Sequence, residues 1–495
     1  MRTAGVAFVL SVICGAILTP IVRHLAHRFG LFDHARSSRK IHGKPIPRLG
    51  GIAIVIAFYA PLVGLLLFQT GLGQLFLAER EHVIGLFAGG LSIAALGLYD
   101  DLRGANAWKK FLVQFAVAGL LYYLGFRIDV IANPLGSEIH LGWVSLPFTV
   151  FWIVGVINAL NLIDGLDGLA GGVALVAITT TFLVSLQRGH PLMMLFTSAL
   201  AGAIVGFLLY NFNPASIFMG DTGSMFLGFD LSATAIQTNQ KSTTAVAVLI
   251  PAIALGLPIM DTLLAIARRA LRGRPLFQAD KEHIHHRLIA AGLTHRQAVL
   301  VLYGFCVLLG AGALVLTFAN SGQAALLLVV LALVAFIFLR SLGFLRLSRV
   351  SATAADRKRN RALRAAIRPL GRRLQRITRI GEISPIIVEA AGVFGAVEMN
   401  LRVGSESVAF AASGSDEPPT GEPEPFQSQF MVPGGKTIDE RALDVKWHDG
   451  RREIDRDTEI AIDILCEYIA NALDGLHESQ PTKAPPPAAG VGPTA

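Results

Sequence analysis

Residues 142–172 read GWVSLPFTVFWIVGVINALNLIDGLDGLAGG and set the pattern for most of the chain. An apolar run over 142–160 leads into a short polar segment with Asp164 and Asp167, and a second apolar run begins at residue 168. A helix needs roughly 20 apolar residues to cross about 30 Å of hydrocarbon. The stretch therefore predicts two membrane-spanning helices that are joined at a membrane surface by an acidic loop.

Apolar runs of this length recur up to residue 340. Eleven candidate spans lie near residues 4–22, 51–70, 83–99, 110–126, 142–160, 168–186, 191–210, 224–238, 245–266, 297–318 and 323–340. Of the 495 residues, 53% are hydrophobic and 16% are charged, whereas an ordinary soluble domain has about 25% charged residues. Only three cysteines are present, which excludes a disulfide scaffold. The sequence predicts an all-α polytopic membrane protein with about 11 transmembrane helices.

Basic residues predict how the chain is oriented in the membrane. Segments 23–48 and 268–296, which follow the first and ninth spans, contain seven lysines and arginines each, and the alternate loops hold about one at most. Cytoplasmic loops carry the excess of basic residues in membrane proteins. We therefore expect the N-terminus outside and the C-terminus inside. We assign the net charge of +8 to the cytoplasmic loops and expect no nucleic-acid partner.

The unusual polar clusters all fall at the predicted cytoplasmic ends of spans. They lie at residues 39–51, 99–101, 158–168, 211–224 and 280–287. Five of their members are acidic: Asp100, Asp101, Asp164, Asp167 and Asp221. Unpaired carboxylates at membrane depth are costly and mark sites or pathways, and five on one face repel one another unless a divalent cation or basic side chains offset the charge. Oxygen ligands of this kind suit Mg²⁺, which also binds substrate phosphates.

Each cluster also has an ordinary structural explanation. Asp100 and Asp101 can end a helix in solvent, residues 164–168 can form a turn, and Asp221 can cap a helix. The histidines of 280–287 can belong to a solvated basic loop, and they lack the i, i+4 spacing of a helical zinc site. Because the clusters lie on one predicted side, a shared site explains them better than coincidence.

Taken in order, the clusters resemble the motifs of the polyprenyl-phosphate N-acetylhexosamine-1-phosphate transferases, the glycosyltransferase 4 family. The resemblance covers roughly residues 1–340 and rests on RKIH with PIPRLGG over 39–51, NxxNxxDGLDGLA over 158–170, and FMGDTGS over 218–224. The last loop reads HIHH at 283–286. It is similar to the undecaprenyl-phosphate α-N-acetylglucosaminyl 1-phosphate transferase branch, whereas members of the peptidoglycan branch have PxHHH.

The resemblance implies that UDP-GlcNAc, or another UDP-N-acetylhexosamine, reacts with undecaprenyl phosphate. The products are undecaprenyl-diphospho-GlcNAc and UMP, and the cofactor is Mg²⁺, for which Mn²⁺ can substitute. This step initiates cell-envelope polysaccharides such as the lipopolysaccharide O-antigen, at the cytoplasmic side of the bacterial inner membrane. Two alternatives stay open: a phospho-MurNAc-pentapeptide transferase of peptidoglycan synthesis and, from a different class, a cation-coupled membrane transporter. A membrane-anchored sensor is a third reading, although the spans exceed what an anchor needs.

The resemblance also implies roles for individual residues. Asp100 would deprotonate or orient the lipid phosphate, and Asp101 would help to hold this catalytic site. Asp221 would be the principal magnesium ligand and Asn161 a second one. Basic residues would lie near the phosphates, the aspartates and a second asparagine at the nucleotide, and the last loop at the sugar-phosphate. These substrate-binding candidates are Lys40, Lys110, Asp164, Asp167, Asn211, His283, His285, His286 and Arg287.

Beyond residue 340 the composition becomes polar. Residues 341–382 are predicted to form a basic juxtamembrane linker that is dense in arginine and has apolar residues at helical spacing. Such a segment is expected to lie on anionic lipids of the inner leaflet or to pair with a second copy as a homodimer. Pro369 and Gly371 are expected to interrupt its helix, which counts against a long coiled coil.

Residues 383–476 are predicted to form a small α+β cytoplasmic domain. Alternating apolar residues predict strands at 393–403, 408–412 and 443–447. Asp457 is expected to cap a final amphipathic helix. The end of this segment slightly resembles a GAF sensory domain, which implies a regulatory or interaction module. Residues 413–426 and the tail 477–495, rich in Pro and Gly, are predicted to be disordered.

Overall fold

The structure is a computed structural model. It describes residues 2–33, 46–68, 70–131, 139–240, 249–272, 283–344, 363, 365–404, 406–412, 426–433, 441–449, 454 and 456–478. The chain forms two units. The first, here called the membrane unit, comprises Met1–Arg268 and Leu276–Arg346, and the second, the C-terminal unit, comprises Arg269–Pro275 and Leu347–Ala495.

Helices dominate the membrane unit. In chain order they are α1 (Arg2–Arg28), α2 (Gly50–Phe68), α3 (Thr70–Ala78), α4 (Arg80–Arg103), α5 (Ala107–Tyr123), α6 (Ser145–Ile163), α7 (Leu169–Gln187), α8 (Pro191–Asn211), α9 (Gly220–Gln240), α10 (Leu249–Ala254), α11 (Gly256–Arg272), α12 (Ile284–Ala290), α13 (His295–Leu316) and α14 (Ser321–Ser341). Among the described residues of this unit, two short antiparallel strand pairs lie between neighbouring helices. They pair β1 (Phe32–Asp33) with β2 (Ile46–Pro47) and β3 (Val130–Ile131) with β4 (Ile139–His140).

Within the described part of the chain, eight helices are long and apolar enough to cross a membrane. They are α1, α2, α4, α6, α7, α8, α13 and α14, and each matches one predicted span. The three other predicted spans also contain helices: α5 at 110–126, α9 at 224–238, and α10 with α11 at 245–266. The protein is thus a mainly helical membrane protein, as predicted, and the count of eleven and the orientation stay predictions.

Helices α8 and α9 lie at the centre of the membrane unit. Helix α8 packs against α1, α2 and α7, and α9 packs against α4, α6, α2 and α7. Small residues let the backbones of α1 and α8 touch, because a Cβ on Gly202 would lie 2.3 Å from the Phe8 carbonyl oxygen and one on Gly206 2.5 Å from that of Val12. Such contacts are typical of membrane helices. This packing holds α9, whose first turn is part of the candidate site.

In its described residues, the C-terminal unit combines three α-helices with an antiparallel sheet of strand order β6-β5-β8-β7. Its elements are α15 over 365–374, α16 (Ile383–Phe394), β5 (Glu398–Val403), β6 (Glu406–Ala412), β7 (Phe426–Met431), β8 (Arg441–Trp447) and α17 (Arg456–Glu478). Alternate strand residues, such as Met399 and Leu401 of β5 and Leu443, Val445 and Trp447 of β8, are buried in one core with these helices. The predicted strands at 408–412 and 443–447 lie within β6 and β8.

The structure corrects two local predictions in this unit. The strand predicted at 393–403 begins only at Glu398, because α16 continues to Phe394. Gly395, with φ of +62°, then ends α16 in the left-handed conformation that favours glycine. Asp457, predicted as a cap, is the second residue of α17.

Helix α15 lies in the segment that was predicted to be a linker. Its residues Ile367, Leu370 and Leu374 are buried in the same core as α16 and α17. Pro369 and Gly371 were expected to interrupt this helix, but both lie within it. A Cβ on Gly371 would lie 2.6 Å from the ring of Tyr468. The glycine therefore permits close packing on α17.

Each of the two segments predicted to be disordered overlaps a described element by one or two residues. Phe426, the last residue of 413–426, is the first residue of β7, a strand that was not predicted. Helix α17 extends to Glu478, two residues into the predicted tail. The rest of both segments lies outside the described residues.

Candidate active site

Asp101 ties the end of α4 to the start of α9. Its Oδ1 accepts a hydrogen bond from the Asp221 backbone N–H at 2.9 Å. Its Oδ2 accepts from the backbone N–H and the hydroxyl of Thr222 at 2.9 and 2.6 Å. The first N–H groups of a helix have no partner inside the helix, and the helix dipole favours a carboxylate there. The cap on α9 is therefore Asp101, and the side chain of Asp221 is left for other contacts.

Glycines let α2, α4 and α9 meet at this point. A Cβ on Gly97 would lie 2.5 Å from the Cα of Thr222, and one on Gly51 would lie 2.1 Å from the backbone of α9. Gly220 has φ of +70°, and its Cβ would lie 2.2 Å from the Arg48 carbonyl oxygen. Only glycine fits both that backbone conformation and that space. The two Asp residues at the end of α4 are thus held directly against the first turn of α9.

Lys110 of α5 lies between two carboxylates. Its Nζ contacts Oδ2 of Asp100 and lies 2.6 Å from Oδ2 of Asp221. Oδ1 of Asp100 also accepts a hydrogen bond from the Ala105 N–H at 2.5 Å. One ammonium group therefore offsets the charge of two aspartates that are far apart in the sequence, and α4, α5 and α9 converge on a single polar spot.

Asn161, in the last turn of α6, adds an amide to this spot. It hydrogen-bonds the carboxylate of Asp221 and donates from Nδ2 to the Ser224 hydroxyl at 3.0 Å. Among the residues that the structure describes, no three or more His, Cys, Asp or Glu side chains are arranged to hold a metal ion. Mg²⁺ often binds through only one or two carboxylates, with waters and substrate phosphates as its other ligands. Asp221, Asp100 and Asn161 fit that requirement, because the Lys110 ammonium already shows that a cation is accommodated between the two carboxylates.

The acidic loop between α6 and α7 is pinned to the segment between α8 and α9. Buried Asp167 accepts from the Asn213 side chain at 2.9 Å and from a backbone N–H two residues further on at 3.0 Å. Asn211 is also buried, and its Oδ1 accepts from the Gly168 N–H at 3.1 Å while its Nδ2 donates to the Ile217 carbonyl at 2.9 Å. Both ends of the Asn211 amide thus hold the two loops together.

Asp164 follows the last residue of α6 and is half-buried. Burial, followed by the charge of Asp221, raises its pKa to about 7, and the Arg48 guanidinium acts in the opposite direction on this pKa. The charges of Asp101 and Asp167 also raise it. The structure therefore brings the predicted aspartates within electrostatic range of one another, with Arg48 as an additional basic group.

The histidines of 283–286 reach the same acidic loop. His285 is 2% exposed, and a Cβ on Gly165 would lie 2.5 Å from its Nε2. Its ring stacks parallel to that of His283 with 5.8 Å between centroids, and the His286 ring lies at 4.2 Å. Burial, followed by the charge of His286, lowers the pKa of His285 to about 3. Near neutral pH, His285 therefore packs on the loop as an uncharged ring.

The structure does not place the predicted substrate-binding residues Arg287 and Lys40 with the others. The Arg287 guanidinium lies 3.8 Å from the centroid of the Phe344 ring, and its Nη1 donates to the Leu342 carbonyl at 3.2 Å. These contacts direct it toward the end of α14. Lys40 lies outside the described residues, so its place at the phosphates stays a prediction.

Three site residues were not among the sequence candidates: Thr222, Arg48 and Asp261. Asp261 of α11 is 2% exposed, and its Oδ2 lies 2.8 Å from Nδ1 of His283. It is a carboxylate within a predicted span, which is the signal that identified the other aspartates. Thr222 and Arg48 stand inside quoted motifs, but their contacts depend on helix packing that local sequence does not show.

The fold and the site define a membrane protein in which a helix bundle gathers carboxylates, a lysine and an amide at one end. A model of glycosyl transferase family 4 matches residues 83–239, a range that contains Asp100, Asp164 and Asp221. A probable undecaprenyl-phosphate N-acetylglucosaminyl 1-phosphate transferase of Bacillus subtilis is 38% identical over 316 residues, which are 64% of this chain and 85% of that protein.

Two further relatives extend the comparison. A decaprenyl-phosphate N-acetylglucosaminephosphotransferase of Mycolicibacterium smegmatis is 37% identical over 338 residues, 64% of this chain and 82% of that protein. A phospho-N-acetylmuramoyl-pentapeptide-transferase of Listeria welshimeri is 31% identical over 319 residues, 61% and 94% of the two chains. The chain belongs to glycosyl transferase family 4, the family of polyprenyl-phosphate N-acetylhexosamine-1-phosphate transferases, as its motifs predict. It is therefore a transferase, and the transporter alternative has no support.

Proposed function

We propose that the protein transfers GlcNAc 1-phosphate from UDP-GlcNAc to undecaprenyl phosphate and releases UMP. The observation that carries the proposal is the Lys110 bridge between Asp100 and Asp221, beside Asn161, at one end of the bundle. The HIHH loop and the names of the first two relatives support GlcNAc over the peptidoglycan substrate. The basic loops support a cytoplasmic site at the bacterial inner membrane, where this reaction would initiate envelope polysaccharide synthesis.

The reaction itself places few covalent demands on the protein. An oxygen of the lipid phosphate attacks the β-phosphorus of the UDP-sugar and forms the new P–O bond. The bond from that phosphorus to the oxygen bridging the α-phosphate breaks, and UMP leaves with the electron pair. The anomeric C–O bond is untouched, so its configuration is kept. Catalysis of phosphoryl transfer is therefore mostly positioning and charge neutralisation.

The residues around α9 suit those two tasks. Mg²⁺ or Mn²⁺, held by Asp221 and Asn161, would neutralise charge on the diphosphate when bound. Asp100 would orient the lipid phosphate, which is mostly ionised and hardly needs a base. Lys110 would move its ammonium from the carboxylates to the phosphates. Asp101 is a positioning residue, because the hydrogen bonds it accepts come from the first turn of α9.

The nucleotide end of the donor would bind at the 164–168 loop. Asp164 is the first residue of this loop. Asn211 accepts from the Gly168 N–H and Asp167 accepts from the Asn213 side chain, so these two residues fix the loop and would shape the pocket. The 283–286 histidines border the same loop and would contact the sugar-phosphate. Lys40 and Arg287 remain candidates for the phosphates from the sequence resemblance.

The direct test is an assay of the purified protein with undecaprenyl phosphate, Mg²⁺ and several UDP-sugars. We expect lipid-linked diphospho-GlcNAc by mass analysis, with one UMP released for each product. UDP-GalNAc and UDP-MurNAc-pentapeptide are the competing donors. A lipid product that carries MurNAc-pentapeptide would reassign the substrate. The absence of a lipid-linked product from every donor would overturn the proposal.

Gly97→Ala is expected to lower turnover by about 100-fold, the cost of a displacement of roughly 1 Å at an active site. The added methyl group cannot fit against Thr222, so α4 must move and Asp100 shifts relative to Asp221. Transfer rates and thermal unfolding measure the effect. Gly119→Ala on α5 is the matched control, because among described residues its Cβ would meet nothing within 4 Å. Equal activity of both variants would contradict the close α4–α9 contact.

We also propose that the C-terminal unit regulates the enzyme or docks it on anionic lipids. Arg368 and Arg372 are exposed on one face of α15, and exposed Arg376 and Arg379 follow, so the row complements an anionic leaflet. Binding of the protein to a second copy is the competing outcome. Liposome composition and light scattering distinguish the two, since only lipid docking responds to the fraction of anionic lipid.

Deletion of residues 363–495 is expected to leave basal transfer near that of the full chain. The side chains that converge at the site belong to the membrane unit, and the cut removes α15 together with the core it shares. The measurement is the turnover of inserted, monodisperse truncated protein. Loss of all transfer in that preparation would refute a purely regulatory C-terminal unit.

A further inference from the structure

The buried carboxylate of Asp261 contacts both the His283 ring and the N-terminal end of α12. Its Oδ2 lies 2.8 Å from Nδ1 of His283, and its Oδ1 accepts from the backbone N–H of Ile284 at 2.9 Å. Asp261 and His283 are 2% and 5% exposed. Because Ile284 is the first residue of α12, the carboxylate on α11 caps α12 from a distant part of the chain.

This contact decides which nitrogen of His283 carries the proton. An ionised carboxylate only accepts hydrogen bonds, and the Ile284 N–H already donates to its other oxygen. Nδ1 of His283 is therefore the donor, and Nε2 is the nitrogen that points away from Asp261. A carboxylate that fixes the tautomer and orientation of a histidine in this way is a common partner of functional histidines.

His283 is connected to the acidic loop at 164–168 through the ring of His285. The His283 ring stacks parallel to His285. The His285 ring in turn abuts Gly165 of the acidic loop, where a Cβ would lie 2.5 Å from Nε2. Asp261, His283, His285 and Gly165 thus form a continuous series of buried contacts from α11 to the loop that follows α6.

We propose that Asp261 is a positioning residue that acts through His283 and keeps its Nε2 available to the sugar-phosphate of the donor. The contact of His283 with that donor rests on the proposed function. The competing explanation is purely structural, in which Asp261 only caps the short helix α12.

A double-mutant cycle separates these explanations. His283→Asn keeps an N–H donor for Asp261 but removes Nε2, and Asp261→Asn removes the charge that fixes the tautomer. We expect Asp261→Asn to raise KM for UDP-GlcNAc by about 10- to 100-fold with a smaller change in kcat. It should add little in the His283→Asn background. Additive losses in the double variant, or an activity loss that only matches the fall in the amount of folded protein, would show that Asp261 acts only as a cap.

Thr294→Ala is the matched control. Thr294 caps α13 through the Gln297 N–H at 3.3 Å, in a capping box that is exposed. Its loss removes a helix cap close in sequence to the histidine motif without touching His283. A KM increase in Thr294→Ala equal to that in Asp261→Asn would overturn the proposal.

A spectroscopic measurement on the folded protein covers the case in which Asp261→Asn fails to fold. Histidine ¹⁵N spectra distinguish the two tautomers, and the His283→Asn difference spectrum assigns the signal among the 13 histidines. We expect a protonated Nδ1 on His283, and a proton on Nε2 alone would overturn the proposal. This readout needs no donor, so a protein with the expected tautomer but without transferase activity would disprove the proposed function and leave the Asp261–His283 pairing intact.

Discussion

Asp221→Asn is expected to lower the turnover of GlcNAc 1-phosphate transfer by at least about 100-fold, as removal of one preorganised electrostatic group does in other enzymes. The side chain of Asp221 faces Lys110, Asp100 and Asn161. Its backbone N–H is what Asp101 binds, so the cap on α9 survives the substitution. The variant should therefore remain folded while it loses the charged group that contacts Lys110 and that we propose to hold the cation. Initial rates and thermal unfolding in the same detergent test both statements.

Asp230→Asn provides the matched control on the same helix. Asp230 is fully buried, and neither carboxylate oxygen has a hydrogen-bond partner in the described part of the chain. It follows Asp221 by nine residues of α9, which is about 14 Å along a helix axis. We expect transfer near the wild-type rate from this variant. Wild-type turnover in Asp221→Asn would disprove the proposal that Asp221 is the cation ligand.

The length of apolar runs was enough to predict most of the helices, and α9 shows where that signal weakens. Helix α9 is surrounded by other helices and has buried polar residues such as Asp230, Ser232 and Thr234. The Thr234 hydroxyl donates to the Asp230 carbonyl at 2.6 Å, so part of this polarity is satisfied by the backbone of the helix. A helix that is enclosed by protein need not be uniformly apolar, and its sequence resembles a membrane span less.

The site was partly predictable because carboxylates at the ends of apolar runs are rare and costly. That argument identified Asp100, Asp101 and Asp221 but not their different tasks. Asp101 binds the first turn of α9, whereas Asp100 faces Lys110. The difference arises from helix packing, in which Gly97 sets how closely α4 approaches α9. Packing between helices so distant in sequence leaves no periodic signal along either one.

The C-terminal unit illustrates a second limit of prediction from the sequence. Its arginine-rich segment was predicted to be a linker because charge dominates its composition, yet Ile367, Leu370 and Leu374 are buried in the core. Their spacing is that of one helical face, and the neighbouring arginines occupy the exposed face. The periodicity was visible in the sequence, but it did not show that the partner of this face is α16 and α17.

Lys110→Met is expected to make the stability of the protein depend on divalent cation. In the wild type, one ammonium contacts the carboxylates of both Asp100 and Asp221. Two like charges about 4 Å apart repel by about 4 kcal/mol at an effective dielectric constant of ~20. Without the lysine, less positive charge offsets that repulsion, and a bound cation would restore that positive charge. The melting temperature in EDTA should therefore fall below that of the wild type, and Mg²⁺ should raise it by more than it raises the wild type.

The Mg²⁺ response decides whether the lysine and the cation share the two carboxylates. A ligand that binds only the folded state stabilises it by RT ln(1 + [L]/Kd). Lys110→Met should lower the Kd for Mg²⁺ and so increase this stabilisation at a given Mg²⁺ concentration. Lys109→Met is the control, because Lys109 is exposed and adjacent on α5. If Lys110 stabilised the fold without sharing the site, its loss would lower the melting temperature equally in EDTA and in Mg²⁺. A Mg²⁺-induced shift equal to that of the wild type and of Lys109→Met would therefore place the cation elsewhere, even if transfer were lost.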